Sequence, residues 1–429
     1  MRSTRRSVFG VLGAAALALG STVAPAAAQN ETTITVDTTS MAVDFGGAQQ
    51  VTDLPGPDGK TSLREATIAS TNTAGPETIA FDIPTTEPGF AGDEFVLNYV
   101  PATRAEQLTL GDDGTTIDAT TQPSGHPITV EGSPAAVDEF LHGLLLDSSD
   151  NAVIGLELRL YGVGLGVRGS GNEIRGSSFR ANLDGVNASG DGHVIADNAS
   201  VDNERTGIDL FASSDVTHDD VVVSGNTIAR NGTGGLHHEG QAGIFTDNTV
   251  TGNGGWGLDL FGTGTVSGNT ITGNAADGVM LFEFSTRTVR YTISRNSISE
   301  NGDLGIDLAP SFGVSKNDGK DKDGGANDTL NFPDFKHATD NGTTTEVDGR
   351  VPTPDPESIT IEIFVNDAPD PSGNGEGETF VTTATPDAKG RFTASLPGGL
   401  TGRYLTATST DAADNTSEFS QAIEVRTGK

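Results

Sequence analysis

The chain of 429 residues contains no cysteine. Disulfides, thiolate-bound metals and a catalytic thiol are excluded together. Aromatic residues are few against 57 glycines, a balance that disfavours helical bundles. Positive charge is scarce as well: 25 Lys and Arg face 59 Asp and Glu, for a formal net charge of −34. Such a field repels nucleic acid and other polyanions. Only 7 of the 25 cations are lysine, and with abundant aspartate this suits a salty habitat or calcium loading. Beyond the first 28 residues no apolar run approaches the ~18 residues of a membrane span. Phosphate loops, nucleotide fingerprints, zinc-type His/Glu motifs and serine nucleophile elbows are missing too. "HHEG" (237–240) puts two histidines on opposite sides of a strand, so zinc is set aside.

Residues 1–28 read as an export signal: Arg2, Arg5 and Arg6, the apolar "VFGVLGAAALALG", then small residues before Gln29. "TRRSVF" (4–9) is similar to a twin-arginine signal, and an ordinary secretory signal is the alternative. Either predicts a secreted, extracellular protein. Loss of the three arginines moves the formal charge from −34 to −37.

The remaining sequence repeats itself. Glycines open successive units at Gly143, Gly162, Gly185, Gly207, Gly235, Gly257, Gly278 and Gly305, and later units carry paired asparagines, as in "NTIARN" (226–231) and "NTVTGN" (248–253). A period near 22 with short period-2 apolar stretches and turn asparagines predicts an all-β fold, a right-handed parallel β-helix. The leucine frame of a leucine-rich repeat is absent.

"DGKTSLREATIAS" (58–70), "TIAFDIP" (78–84) and "TIDATTQPSG" (116–125) resemble the amino-terminal region of secreted bacterial CSLREA-domain proteins, with Thr61 in place of the cysteine. "KDKDGGANDTLNFPDF" (320–335), "DPSGNGEGETFV" (370–381) and "TATSTDAADNTSEFS" (406–420) resemble their carboxy-terminal part. The resemblance implies a pectate-lyase-like β-helix and carries over no catalytic motif. "SLREATIAS" suits a short helix over the open end of the first coil, with Arg64 and Glu65 as a structural ion pair.

After Phe335 the pattern changes. "SITIEIFVN" (358–366), "GRFTASL" and "RYLTATST" alternate like strands of a small antiparallel β-sandwich. The predicted organisation is a signal (1–28), an N-terminal cap and first coils (29–141), the solenoid (142–335) and an Ig-like sandwich (336–429). The last either binds a polymer or closes the solenoid.

Each unit holds a variant of "TGIDLF" (206–211), and strand alternation sorts it. Ile208/Leu210, Leu236/His238, Leu258/Leu260, Val279/Leu281 and Ile306/Leu308 point inward. Asn187, Asp209, His237, Asp259, Met280 and Asp307 form an outward column, with Ser189, Phe211, Glu239, Phe261 and Phe282 beside it. With coils ~4.8 Å apart, Asp209 and Asp259 are roughly 9–10 Å apart, near the ~6.5–9.5 Å used by inverting glycosidases.

Asp209, His237, Glu239 and Asp259 are therefore the candidate catalytic residues. Phe211, Phe261, Phe282, Asn187 and Trp256 are candidate substrate contacts, since apolar rings suit the flat side of a sugar. Three readings compete. A glycoside hydrolase would use Glu239 or Asp259 as acid and Asp209 to activate water. A calcium-dependent uronate lyase or epimerase would use His237, Arg205 or Arg230 as base. A non-catalytic adhesion module would keep the column merely as a wet face copied by duplication. The expected partner is an extracellular polysaccharide or cell-wall polymer, and a monomer is expected. Asp321, Asp323, Asn327 and Asp328 in "NDGKDKDGGAND" (317–328) offer oxygen ligands for calcium.

Overall fold

The computed structural model describes residues 32–133, 141–211, 218–283, 288–308 and 313–428; residues 1–28, expected to be an export signal, lie outside them. Among these residues the one α-helix is Leu63–Asn72, and the rest of the regular structure is strand and short 3₁₀ turn. The chain winds into a right-handed parallel β-helix with three strands per coil. One coil illustrates the plan: Val222–Ser224 lies in what we term the second sheet, Thr227–Ala229 in the third, and Gly234–Thr246 runs through the site sheet into the next coil. Parallel pairing starts at Thr32–Val36 on Glu77–Phe81, well before the sequence repeat becomes visible.

The inward residues of the site sheet are buried throughout, from Ile208 and Leu210 to Ile306 and Leu308. Inward His238 is satisfied in the core: its ring nitrogens meet the Tyr291 hydroxyl at 2.8 Å and the His218 carbonyl at 3.1 Å. The unit glycines have a steric cause. A Cβ on Gly257 would lie 2.5 Å from the Gly278 carbonyl oxygen and 2.7 Å from Ile271 Cγ2, so this corner admits no side chain. One expected glycine is displaced. Gly164 rather than Gly162 occupies the stack, since Val163 pairs with His142 and Asp184 and a Cβ on Gly164 would strike the Gly185 carbonyl at 2.6 Å. The closely spaced glycines of "YGVGLGVRG" hide which one turns the corner.

Two asparagine ladders run along the other corners. Asn198, Asn226, Asn248, Asn269 and Asn296 form one; Asn182, Asn203, Asn231, Asn253, Asn274 and Asn301 form the second. From the second asparagine of each ladder onward, Oδ1 accepts the backbone N–H and the amide of the preceding asparagine, as Asn248 does from Asn226 at 3.0 and 2.9 Å. The residue before a ladder asparagine is left-handed, with φ of +66° at Gly225 and +57° at Asp197. Glycine, asparagine and aspartate tolerate that conformation best, which accounts for the recurring "GN" and "DN" dipeptides.

Both ends of the solenoid are closed. At the start, Ser62 caps the helix in a capping box with Glu65, and Leu63, Ala66 and Ala69 are buried beneath it. Arg64 and Glu65 take separate roles rather than the expected pairing. Glu65 accepts the backbone N–H groups of Ser62 and Asp44 at 2.9 Å each, whereas the Arg64 guanidinium lies over the Tyr99 ring. At the far end stand two four-stranded sheets, spanning Asp334–Thr427, that form the sandwich.

The sandwich supplies what a further coil would have offered. In the site sheet, Glu418 accepts the Leu308 N–H at 3.1 Å. In the second sheet, Thr416 Oγ1 accepts the Ile293 N–H, and Asn327 in the preceding linker accepts that of Tyr291. In the third, Gly377 bridges Ile298, and Glu376 ends the second asparagine ladder by accepting the Asn301 amide at 2.8 Å. Open strand edges invite foreign pairing, and here each is covered. Consequently Thr360–Asn366 is buried on both faces after its first residue. Phe364 and Phe419 fill the interface and core rather than forming a binding surface.

Candidate functional site

Parallel register carries the outward residues into one line. Asn187 pairs with Asp209, Asp209 with His237, His237 with Asp259, Asp259 with Met280, and Met280 with Asp307. Glu239 pairs with Phe261 in the adjoining column. The side chains then find partners in neighbouring coils and, for His237 and Glu239, along one strand. His237 Nδ1 lies 3.0 Å from Asp259 Oδ2 and its Nε2 lies 3.4 Å from Glu239 Oε1. On the other side, the Asn187 amide donates to Asp209 Oδ2 at 3.4 Å.

Electrostatics follow from this clasp. Burial alone would lower the His237 pKa, but the Asp259 hydrogen bond and the charges of Asp259, Asp209 and Glu239 raise it above the ordinary value. The imidazolium is thereby favoured. Asp209 is raised chiefly by burial and further by Asp184 and Glu239, against the opposing pull of His237. His237 thus stands between two acidic side chains, Asp209 and Asp259, each one coil away.

The column is less exposed than alternation suggests. Asp259 is only 9% exposed, Met280 3% and Asp307 2%. An outward direction on a strand does not guarantee solvent, because other chain segments lie across this end of the sheet. Gly313 donates to Asp307 Oδ2 at 3.0 Å, for example. Exposure is concentrated at Phe211, which is 51% accessible. Phe261 lies 5.3 Å from the His237 ring and 5.8 Å from that of Phe282, so these two aromatics form a shelf beside the histidine. Trp256 falls outside the column; its indole lies over Gly234 at the turn entering the sheet.

Residues 137–267 match the family model of the right handed beta helix region. No curated protein matches the chain. Among solved structures, a double mutant of the periplasmic alginate epimerase AlgG aligns at 14% identity and a TM-score of 0.38, over 54% of this chain and 64% of that one. Geobacillus virus E2 ORF18 aligns at 7% identity and a TM-score of 0.39, over 84% and 72%. The chain therefore spans just under two thirds of the epimerase.

Next to Asp209 the sheet opens into a cavity of about 510 Å³, lined by His142, Arg168, Asp184, Asn187, Arg205 and Asp209. Arg205 Nη2 lies 2.5 Å from Asp184 Oδ2, and Arg168 lies 3.3 Å from Asp147. Sequence reasoning missed His142, Arg168 and Asp184 because they sit in earlier coils where the "TGIDLF" pattern has faded. The register could have revealed Arg168, two places along from the Asn187 column. Arg230 is held by Asp202 at an exposed turn, with bonds of 2.7 and 2.8 Å, and does not line this cavity.

The predicted calcium ligands separate into two groups. Asp321 and Asp323 gather with Asp318, their oxygens within 4.8 Å of one another. Asn327 is spent on structure: its oxygen accepts the Tyr291 N–H and its amide donates to Tyr291 and Thr416 carbonyls. Asp328 accepts from Asn415 and faces Arg290. Among the described residues no helix is long and apolar enough to cross a membrane.

Proposed function

We propose that this is an exported, carbohydrate-active β-helix protein of the CSLREA-domain kind. In this reading it lays an extracellular polysaccharide along the outward face of the site sheet and cleaves it by acid–base chemistry. The observation that carries the proposal is the His237 clasp, with Asp259 and Glu239 on its ring nitrogens, Asp209 one coil away and Phe261 alongside. His237, whose charged form is favoured by its acidic neighbours, gives a proton to the leaving oxygen and is oriented by Asp259; Asp209, on the opposite flank, activates water. The aromatic shelf takes the apolar face of a sugar ring.

Elimination from a uronate polymer is the second reading, favoured by Arg168 and Arg205 in the adjoining cavity, which could meet a substrate carboxylate. Calcium at Asp318, Asp321 and Asp323 belongs to the proposal as a structural ion. The test is incubation with a panel of neutral and uronate polysaccharides, with and without calcium. New reducing ends without absorbance near ~235 nm support hydrolysis, and that absorbance supports elimination. Binding without turnover on every polymer would leave an adhesion module.

A further inference from the structure

Where the last coil meets the sandwich there is an acidic enclosure that the polysaccharide chemistry does not use. A cavity of about 490 Å³ is lined by Asp277, Asp303 and Asp307 from the solenoid and by Asp370 from the sandwich. Leu304, Val314 and Pro371 give it an apolar wall, and none of the described lining residues is basic. A second cavity of about 380 Å³ shares Asp370 and Pro371 with the first and adds Glu300, Glu376 and Glu378.

Asp307 singles this place out as a site. It is 2% exposed, its Oδ2 accepts the Gly313 N–H at 3.0 Å, and its Oδ1 is buried with no hydrogen-bond partner. A buried carboxylate oxygen without a donor is costly, and Asp307 is one of the residues that line the cavity. Burial, with the charges of Asp277 and Asp303, pushes its carboxyl up to about 6. A positive ligand would relieve both the missing donor and the crowding of acids.

The dispersion of the acids decides the class of cation. Among the described residues, the three carboxylates that bring their oxygens within 4.8 Å of one another are Asp318, Asp321 and Asp323, none of which lines either cavity. Separated carboxylates around an apolar wall instead suit separated ammonium groups on an alkyl chain. The first cavity falls in the ~300–1,000 Å³ range of small-molecule sites. We propose that the junction binds a small linear oligoamine. One ammonium donates to Asp307, the alkyl segment lies on Leu304, Val314 and Pro371, and a second ammonium reaches Asp370, which lines both cavities. Because the walls come from both domains, the ligand recognises the docked arrangement and holds the sandwich on the solenoid. The proposal stands independently of the polysaccharide reading.

Spermidine is the probe, titrated calorimetrically into the full chain at low ionic strength, with parallel melting curves and with sodium chloride at matched ionic strength and calcium chloride as comparisons. Saturable one-to-one binding is expected, with a rise in Tm of roughly 3–5 °C at about 100 times the dissociation constant. Asp307→Asn should weaken binding by at least ~10-fold. If that variant fails to fold, Asp303→Asn, on an exposed turn, is read in its place. Spermidine heats no larger than those of matched sodium chloride would overturn the proposal, as would unchanged affinity in the variant. Full competition by an equal concentration of calcium would also overturn it, by showing a metal site.

Discussion

The glutamate that ends the second asparagine ladder makes the docking of the sandwich sensitive to pH. Glu376 is 7% exposed, and burial pushes its carboxyl up from 4.5 to about 7 despite the donors on Asn301. Between these two values the folded chain holds a proton that the unfolded chain has released. Stability from this group is therefore greatest below pH 4.5, falls as pH rises to 7, and is flat above. The rise from 4.5 to about 7 corresponds to roughly 3 kcal/mol, most of it falling between pH 5 and pH 8. Glu376→Gln removes the titration while keeping an oxygen that can accept the Asn301 amide. Urea unfolding followed by circular dichroism should show the variant gaining roughly 2–3 kcal/mol on the wild type when pH goes from 5 to 8. Parallel pH profiles for the two proteins would refute the argument, because they would mean that the buried carboxyl is ionised in the fold at no cost.

The other expectations follow from equally specific contacts. On a polymer that the wild type cleaves, Asp209→Asn and His237→Ala should each lower kcat by ~10²–10⁴-fold, with circular dichroism unchanged; silence of both would remove the column from the mechanism. Asn253→Ala leaves the backbone N–H and amide of Asn231 without their acceptor and should cost ~2–4 kcal/mol in chemical denaturation. Gly257→Ala forces a methyl group to within 2.5 Å of the Gly278 carbonyl and should destabilise by ~1–3 kcal/mol, checked in the same assay. Calcium at ~100 times its dissociation constant should add about 2.7 kcal/mol through Asp318, Asp321 and Asp323; a melting temperature identical in calcium and in chelator would count against that ion.

The parts of the fold that were legible in sequence are those where one physical demand recurs in every coil. A corner too tight for a Cβ returns as glycine, and a backbone N–H needing an acceptor at a left-handed turn returns as asparagine. Where several residues could meet the demand, the reading slipped by a step, as at Gly162 and Gly164. Contacts made once left no periodic trace. Nothing in the period announces that Glu376, Glu418 and Thr416 take the place of a missing coil, or that Asn327, read as a calcium ligand, belongs to Tyr291.

The outward column lies between these cases, and the comparison bears on its origin. Duplication combined with a structural demand yields uniformity, as in the ladders, where successive coils carry asparagine because each must satisfy the same N–H. No such demand acts on the outward positions, yet adjacent coils carry Asn187, Asp209, His237 and Asp259, and the last two bond to one another. Further along, Met280 and Asp307 are buried, and Asp307 serves the junction with the sandwich rather than the clasp. Asp307 is accordingly no inert duplicate of Asp259, and its replacement should disturb the junction while sparing turnover. The column thus divides at Met280 into a segment whose residues act on one another and a segment absorbed by the end of the solenoid. The acid–base chemistry proposed above belongs to the first.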